Sequence, residues 1–264
     1  MTDFWAIIPA RRASTRLPDK PLADIGGQPM VVRVAERARQ SGASRVIVAT
    51  DDQEILQVCT QHGFEALLTR ADHPSGTDRI AEVAQERNAA PRQSIVNVQG
   101  DEPLIDPELI RRVALALAQS PKATVATAAT PIRDDQELRS PHVVKVVCEE
   151  TGLARYFSRA PIPYLRGAWG SLQDVALPAA GTNFRPLRHI GIYAYRAEAL
   201  ARFVTWPSCP PEECEQLEQL RWLWKGHEIA VCVTDDAPHA GVDTQEDLDR
   251  VRRLWAERRP IGSL

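Results

Sequence analysis

The chain has 264 residues, 44% of them hydrophobic and 25% charged, with 32 Lys and Arg against 35 Asp and Glu for a formal net charge of −3. A sequence of this size and apolar content can bury a core without disulfides or metals, is too hydrophobic for intrinsic disorder, and contains no run of about 18 apolar residues that could span a bilayer. The near-balanced charge excludes the strongly basic footprint of a nucleic-acid binder, whereas an anionic small molecule stays compatible, because a local basic loop can sit on a neutral protein.

Phe4 to Ile8 is a short apolar run that predicts a buried strand ending at Pro9. Met30 to Gln40 places Val31, Val34, Ala35 and Ala38 at helical spacing, with Gly42 positioned to end the helix. Arg45 to Thr50 predicts a second strand, and Asp51 and Asp52 open a helix that stops at Gly63. Phe64 to Leu68 is a weaker third strand, Arg79 to Arg87 a helix and Ser94 to Gln99 a fourth strand. Asp106 and Pro107 supply an N-cap and a first-turn proline for a helix through Gln119, and Thr124 to Thr130 is a fifth strand. Strands and helices alternating at this spacing predict an α/β fold with a mostly parallel central sheet and helices on both faces.

The second half changes character. Val143 to Val147, Leu153 to Phe157 and His189 to Tyr195 are strand-like, and residues 159 to 187 are rich in Pro and Gly and read as a long loop or irregular insertion. Glu212 to Lys225 predicts an amphipathic helix, Ile229 to Val233 a strand, and Thr244 to Trp255 a terminal helix opened by a Thr-x-x-Asp capping pattern. No flexible linker separates the halves, so the expectation is a single domain over 1–264 with a β-rich excursion. Five cysteines (Cys59, Cys148, Cys209, Cys214 and Cys232) are odd in number and lack C-x-x-C spacing, and the opening MTDFWAIIPARR lacks signal-peptide order. Both features read as a reduced, cytoplasmic protein.

In an open parallel sheet, ligands sit beyond the carboxyl ends of the strands. The first such loop, IIPARRASTRLPDKPL, carries Arg11, Arg12, Arg16 and Lys20 with only Asp19 opposing. Crowded cations favour an anion such as a triphosphate, against the plainer reading of a solvated turn. Neither G-x-G-x-x-G nor G-x-x-x-x-G-K-[ST] occurs. The segment VNVQGDEPL sets Asp101 and Glu102 after a strand, where they suit a divalent cation bridging to phosphates or merely a helix-capping turn. Asp243 in GVDTQEDL is by itself more readily a helix cap than a metal ligand, and Asp235 and Asp236 have the same plain alternative. TRADHPSGTDR combines Arg70, His73, Ser75 and Gly76, which hold a base edge or simply turn the chain. His189 lies within a strand, where a satisfied core histidine is the commoner case, and Glu215, Glu218 and Gln219 share one predicted helix.

Read together, IIPARRASTRLPDKPL, VIVATDD, TRADHPSGTDR, NVQGDEPLI, VVKVV, ARYFSRAPIPY, RHIGIYAYR, EQLEQLRWLW and GVDTQEDLDRVR resemble the 3-deoxy-manno-octulosonate cytidylyltransferases, or CMP-KDO synthetases, in order over nearly the whole chain. The resemblance implies a nucleotide-diphospho-sugar transferase type of fold, with 1–130 as the nucleotide-binding half and 131–264 as the sugar-binding and dimerisation half. It implies CMP transfer from CTP to KDO, releasing pyrophosphate and activating the sugar for lipopolysaccharide biosynthesis, by a cytoplasmic, Mg²⁺-dependent homodimer with no nucleic-acid or membrane partner.

Carried over by position, Arg11, Arg16 and Lys20 would hold the triphosphate, Arg70, Ser75 and Gln99 would surround the cytidine, and Asp101 and Asp243 would hold magnesium, with Lys20, Asp101 and Asp243 as the catalytic set. Arg159, His189, Tyr193, Glu218 and Gln219 would line the sugar pocket, Arg159 facing the carboxylate. Three departures stand out: Asp19 where the family has Gly, Pro74 where it has Gln, and a poorly matching stretch over 166–187. The alternatives are a cytidylyltransferase for another acid sugar, such as 8-amino-KDO or sialic acid, and a non-catalytic nucleotide-binding sensor.

Overall fold

The computed structural model describes residues 3–13, 16–166, 168–171, 174–179, 182, 184–236 and 239–257. In chain order its elements are β1 (Phe4–Ala10), a single 3₁₀ turn (Lys20–Leu22), β2 (Asp24–Ile25), β3 (Gln28–Pro29), α1 (Met30–Gln40), β4 (Arg45–Thr50), α2 (Gln53–Gln61), β5 (Glu65–Leu68), α3 (Gly76–Glu86) and β6 (Ser94–Asn97). There follow α4 (Pro107–Gln119), β7 (Ala123–Pro131), α5 (Asp135–Arg139), β8 (Lys145–Cys148), β9 (Ala154–Ser158), β10 (Leu187–Arg196), α6 (Ala197–Phe203), α7 (Pro210–Glu215), α8 (Gln219–Trp224), β11 (Glu228–Val233) and α9 (Gln245–Glu257). They fall into two compact units, one of Met1–Arg111, Arg196–Val204 and Pro238–Leu264, the other of Arg112–Tyr195 and Thr205–Ala237. The chain leaves the first unit at Arg111 and returns to it twice.

In the first unit four strands pair in the order β6-β1-β4-β5, all parallel. The steps from β1 to β4 and from β4 to β5 run in one direction, so right-handed crossovers place α1 and α2 on one face, where they pack together. The return from β5 to β6 puts α3 on the opposite face, against β1, β4 and β6. Asp52 caps α2 by accepting from the amides of Glu54 and Ile55, and Ser75 caps α3. That helix starts three residues before the expected Arg79, because Thr77 also faces the core.

β1 does not stop at Pro9. Alternate residues of a parallel strand address the same neighbour, and Ile7 accepts from Val98 on the β6 side. Pro9 would donate to that side, but β6 pairs with β1 only as far as Asn97, so the missing N–H costs no ladder bond. α6, which the sequence reading did not predict, packs on α3.

In the second unit β7 runs parallel to β11 and antiparallel to β10, while β8 pairs antiparallel with both β10 and β9. The β10 ladder slips between Ile190 and Tyr193, and the buried Thr127 hydroxyl fills the slip by donating to the carbonyls of Ile190 and Ile192. The single helix expected over Glu212 to Lys225 is two, α7 and α8, because Gln216 adopts a left-handed backbone with φ 52°. Among the described residues of 159–186 there is no α-helix or β-strand, yet the stretch is packed: Trp169 and Val175 join Ile132 and Leu138 in a buried cluster. Residues 167, 172–173, 180–181 and 183 of that stretch lie outside the described residues.

Candidate active site

The carboxyl ends of β1 and β6 come so close that a Cβ on Gly100 would lie 2.6 Å from the Pro9 carbonyl oxygen. Glycine is the one residue that permits this approach. Beyond these ends lies a cavity of about 740 Å³ in the first unit, within the range of small-molecule sites. Arg11, Arg16, Lys20, Ser75, Gln99, Asp101 and Asp243 all line it.

Lys20, Asp101 and Asp243 are joined directly. The Lys20 ammonium donates to Asp101 Oδ2 at 2.8 Å, to Asp243 Oδ1 at 3.2 Å and to the Val242 carbonyl at 3.0 Å. What brings them together is apolar: Leu17, Leu104, Val242, Leu248 and Val251 form one buried cluster with Ile25 and Met30. Each polar residue of the trio sits close in sequence to a member of that cluster. The Val242 amide, donating to the Asp101 carbonyl at 2.9 Å, completes the alignment. Capping of α9 falls to Thr244 and Asp247, whose side chains accept from each other's amides. The Asp243 carboxylate is thus spared for the cavity, where it also meets Arg16 at 3.2 Å. Burial and the Asp101 charge push the neighbouring Glu102 carboxyl up to about 8.

Of the four loop cations, three line the cavity and Arg12 does not. Its guanidinium pairs with Asp19 and Glu54, both at 2.6 Å, and with Asp52 at 3.4 Å. Asp19 stands in the left-handed region, φ 53°, just before the 3₁₀ turn. A glycine adopts that conformation freely, and aspartate is among the residues that tolerate it.

The N-terminus of α3 supplies another wall through Ser75 and Gly76, with amides suited to an anion. The Ser75 hydroxyl is committed to Asp78 at 2.6 Å while capping the helix. Arg79, buried and bonded to Asp51 at 2.8 Å, lines the cavity although the sequence suggested no role for it, and so does His73, for which a base edge or a plain turn was expected. His73 Nε2 pairs with Glu82, and its Nδ1 is buried without a partner. Arg70 is not brought in: its side chain is exposed and pairs with Asp72 at 3.6 Å.

The expected sugar-side residues belong to the second unit. His189 Nε2 lies 2.9 Å from the Thr127 hydroxyl, and its ring stands edge-on to Phe157 and tilted to Tyr193, at 5.1 and 5.4 Å between centroids. Burial lowers the His189 pKa to about 3, so the ring is neutral. Burial, with Tyr195 and Glu218 nearby, raises Tyr193 well above its ordinary 10 and keeps the phenol protonated. Gln219 is buried and its Nε2 has no partner, an orphaned donor of the kind a ligand satisfies. The Arg159 guanidinium donates to the carbonyls of Glu215 at 2.7 Å, Pro141 at 3.0 Å and Gln216 at 3.4 Å. The sequence placed Glu215 on one predicted helix with Glu218 and Gln219. Here it ends α7, accepting from the Ser158 hydroxyl at 2.6 Å and the Arg159 amide at 2.9 Å.

A family model described as cytidylyltransferase matches residues 5–229. A solved structure of CMP:2-keto-3-deoxy-manno-octonic acid synthetase complexed with CTP is 40% identical, with a TM-score of 0.86 over 97% of this chain and 100% of that one. A cytidylyltransferase from Leptospira borgpetersenii is 16% identical, with a TM-score of 0.58 over 96% of this chain and 85% of that one. A 4-diphosphocytidyl-2C-methyl-D-erythritol synthase is 13% identical, with a TM-score of 0.61 over 96% of this chain and 99% of that one. The two more distant likenesses concern the fold alone.

Proposed function

The chain belongs to the cytidylyltransferase family, and from that membership we propose that it transfers CMP from CTP to 3-deoxy-manno-octulosonate, giving CMP-KDO and pyrophosphate. It is a nucleotidyltransferase. The observation that carries the reading is the meeting of Lys20, Asp101 and Asp243, from three distant stretches, in a cavity also lined by Arg11 and Arg16.

The chemistry is an in-line displacement: the sugar's anomeric oxygen forms a bond to the α-phosphorus of CTP, the bond to the bridging oxygen breaks, and pyrophosphate carries away the electron pair. Such reactions are accelerated chiefly by positioning and charge neutralisation. Arg11, Arg16 and Lys20 would supply the positive charge, the α3 amides at the cavity wall suit phosphates, and Ser75 and Gln99 would surround the nucleoside. In the second unit the Arg159 guanidinium suits the sugar's carboxylate, and Tyr193, Glu218 and the orphaned Gln219 amide suit its hydroxyls.

The donor set fits Mg²⁺. Two carboxylates within 3.2 Å of one ammonium are hard oxygen ligands able to share a cation, and no group of three or more His, Cys, Asp or Glu forms a closed metal cage among the described residues. One or two protein carboxylates are what magnesium requires when phosphates and waters complete its shell. Asp101 and Asp243 would hold it, and when bound it polarises phosphate oxygens and lowers the pKa of a coordinated hydroxyl.

Lipopolysaccharide biosynthesis, a cytoplasmic location and a homodimer belong to the same proposal. Among the described residues no helix is long and apolar enough to cross a membrane, and exposed Tyr156 and Trp224 offer apolar surface to a second copy. Light scattering after size exclusion would report the dimer.

The test of the activity is pyrophosphate release with CTP, UTP and ATP against KDO, 8-amino-KDO and sialic acid over a Mg²⁺ titration. Turnover with CTP and KDO supports the reading; CTP binding without turnover on any sugar makes the protein a sensor. Asp101→Asn and Asp243→Asn should each nearly abolish kcat/KM with little effect on metal-free thermal unfolding, and the double variant should be scarcely worse than the poorer single one. Parental activity in Asp243→Asn would overturn its role as a ligand.

A further inference from the structure

Lys145 in β8 takes no part in the site described so far. It is 0% exposed, and its ammonium donates to three backbone carbonyls: Ser140 at 3.0 Å, Val143 at 2.6 Å and Arg159 at 2.6 Å. An ammonium has three donors, so each is used once. Burying a charge with no bonded counter-ion is unfavourable, and only the three carbonyls it satisfies offset that cost. The arrangement therefore calls for a purpose beyond packing.

The three carbonyls point to it. Two lie at the ends of the stretch 140–143, whose Pro141 carbonyl receives the Arg159 guanidinium at 3.0 Å. The third is Arg159's own. Lys145 thus holds both the backbone from which Arg159 springs and the strip of chain on which its head rests. A guanidinium has five N–H groups; three bonds to carbonyls orient it and leave donors for a carboxylate.

We propose that Lys145 is a positioning residue that presets the Arg159 guanidinium to receive the carboxylate of an acid-sugar substrate. The inference rests on the reading of Arg159 given under the proposed function.

The charged and titratable groups around Lys145 are Arg159 from β9's end, Glu215 from α7, Glu137 from α5, and Arg188 and His189 from β10. Arg188 pairs with Glu137 at 2.6 Å, and His189 is neutral. Burial, which outweighs the two glutamates, brings Lys145 down to about 8. A neutral amine would have two donors for three carbonyls and would turn its lone pair on the third.

The test is steady-state kinetics with CTP and KDO on the parent, Lys145→Met, Arg159→Ala and the double variant. Lys145→Met should raise KM for the sugar about tenfold and leave KM for CTP unchanged, the loss expected of one misaligned charge-assisted contact. In the Arg159→Ala background it should add almost nothing. Equal rises in both KM values, or multiplicative losses in the double variant, would overturn the proposal. If Lys145→Met does not fold, the parent's pH profile decides: KM for the sugar should rise above about pH 8 while KM for CTP stays level, and a level sugar KM refutes the role. No turnover by the parent on KDO would sink the proposed activity itself, and an unchanged sugar KM in Arg159→Ala would sink the role of Arg159, each separately from the effect of Lys145.

Discussion

Lys20 faces two ways. It neutralises Asp101 and Asp243, and it belongs to the basic cavity loop proposed to hold the nucleotide's phosphates. Its side chain is 16% exposed, while those of Asp101 and Asp243 are 33% and 48% exposed, so water can solvate the carboxylates when the ammonium is removed. Lys20→Ala is therefore expected to change stability by less than about 1 kcal/mol, as for other solvated ion pairs. Loss of a charge-assisted phosphate contact should weaken CTP binding by about 1.5–3 kcal/mol. Calorimetric titration beside thermal unfolding measures both, and parental CTP affinity would remove the basic loop from the site. The neighbouring Arg12 shows why charge alone does not assign a ligand: three carboxylates turn it away from the cavity.

At the scale of elements, the site depends on how closely two strand ends approach. A Cβ on Gly100 would sit 2.6 Å from the Pro9 carbonyl oxygen, and a backbone atom cannot swing aside as a flexible side chain would. Gly100→Ala should therefore part β1 from β6, lowering stability by about 1–3 kcal/mol, the usual range for overpacking, and weakening CTP binding with it. Denaturant unfolding with a CTP titration checks both, and a parental midpoint would show that the ends separate freely. The break between α7 and α8 has the opposite logic. There the chain spends a left-handed residue at Gln216 to end α7, and the resulting α7 terminus places Glu215 against Ser158 and Arg159.

For the molecule as a whole, the alkaline dependence of stability follows from the buried Cys59 and the half-buried Cys148. Burial raises Cys59 from its ordinary 9 to about 12 and Cys148 to about 11. Both stay protonated in the folded state while the unfolded chain ionises them, so their contribution is complete below about pH 9 and is lost as pH climbs toward those values. Lys145 acts in the opposite sense, because its folded pKa of about 8 lies below its ordinary 10.5 and the folded state binds fewer protons between the two. Thermal unfolding under reducing conditions should thus weaken above about pH 9, and Cys59→Val should weaken less steeply. An equal slope in that variant would place the alkaline loss elsewhere.

Local order was legible because its causes are local. The bounds of α1 and β4 are those expected, and the caps at Asp52 and Thr244 act within three residues of their own positions. The chemistry of the first loop and of the segment around Asp101 was likewise visible as charge placed after apolar strands. Three outcomes needed the tertiary structure. Asp243 became available because Thr244 and Asp247 cap α9, and Arg12 left the cavity for carboxylates on a neighbouring loop and helix. Lys20 met Asp101 and Asp243 across separations of 81 and 223 residues, which no periodicity records. A cap or an amphipathic stripe is decided by residues a turn away, whereas a shared cation is decided by whichever distant loops one apolar cluster draws together, here Leu17, Leu104 and Val242.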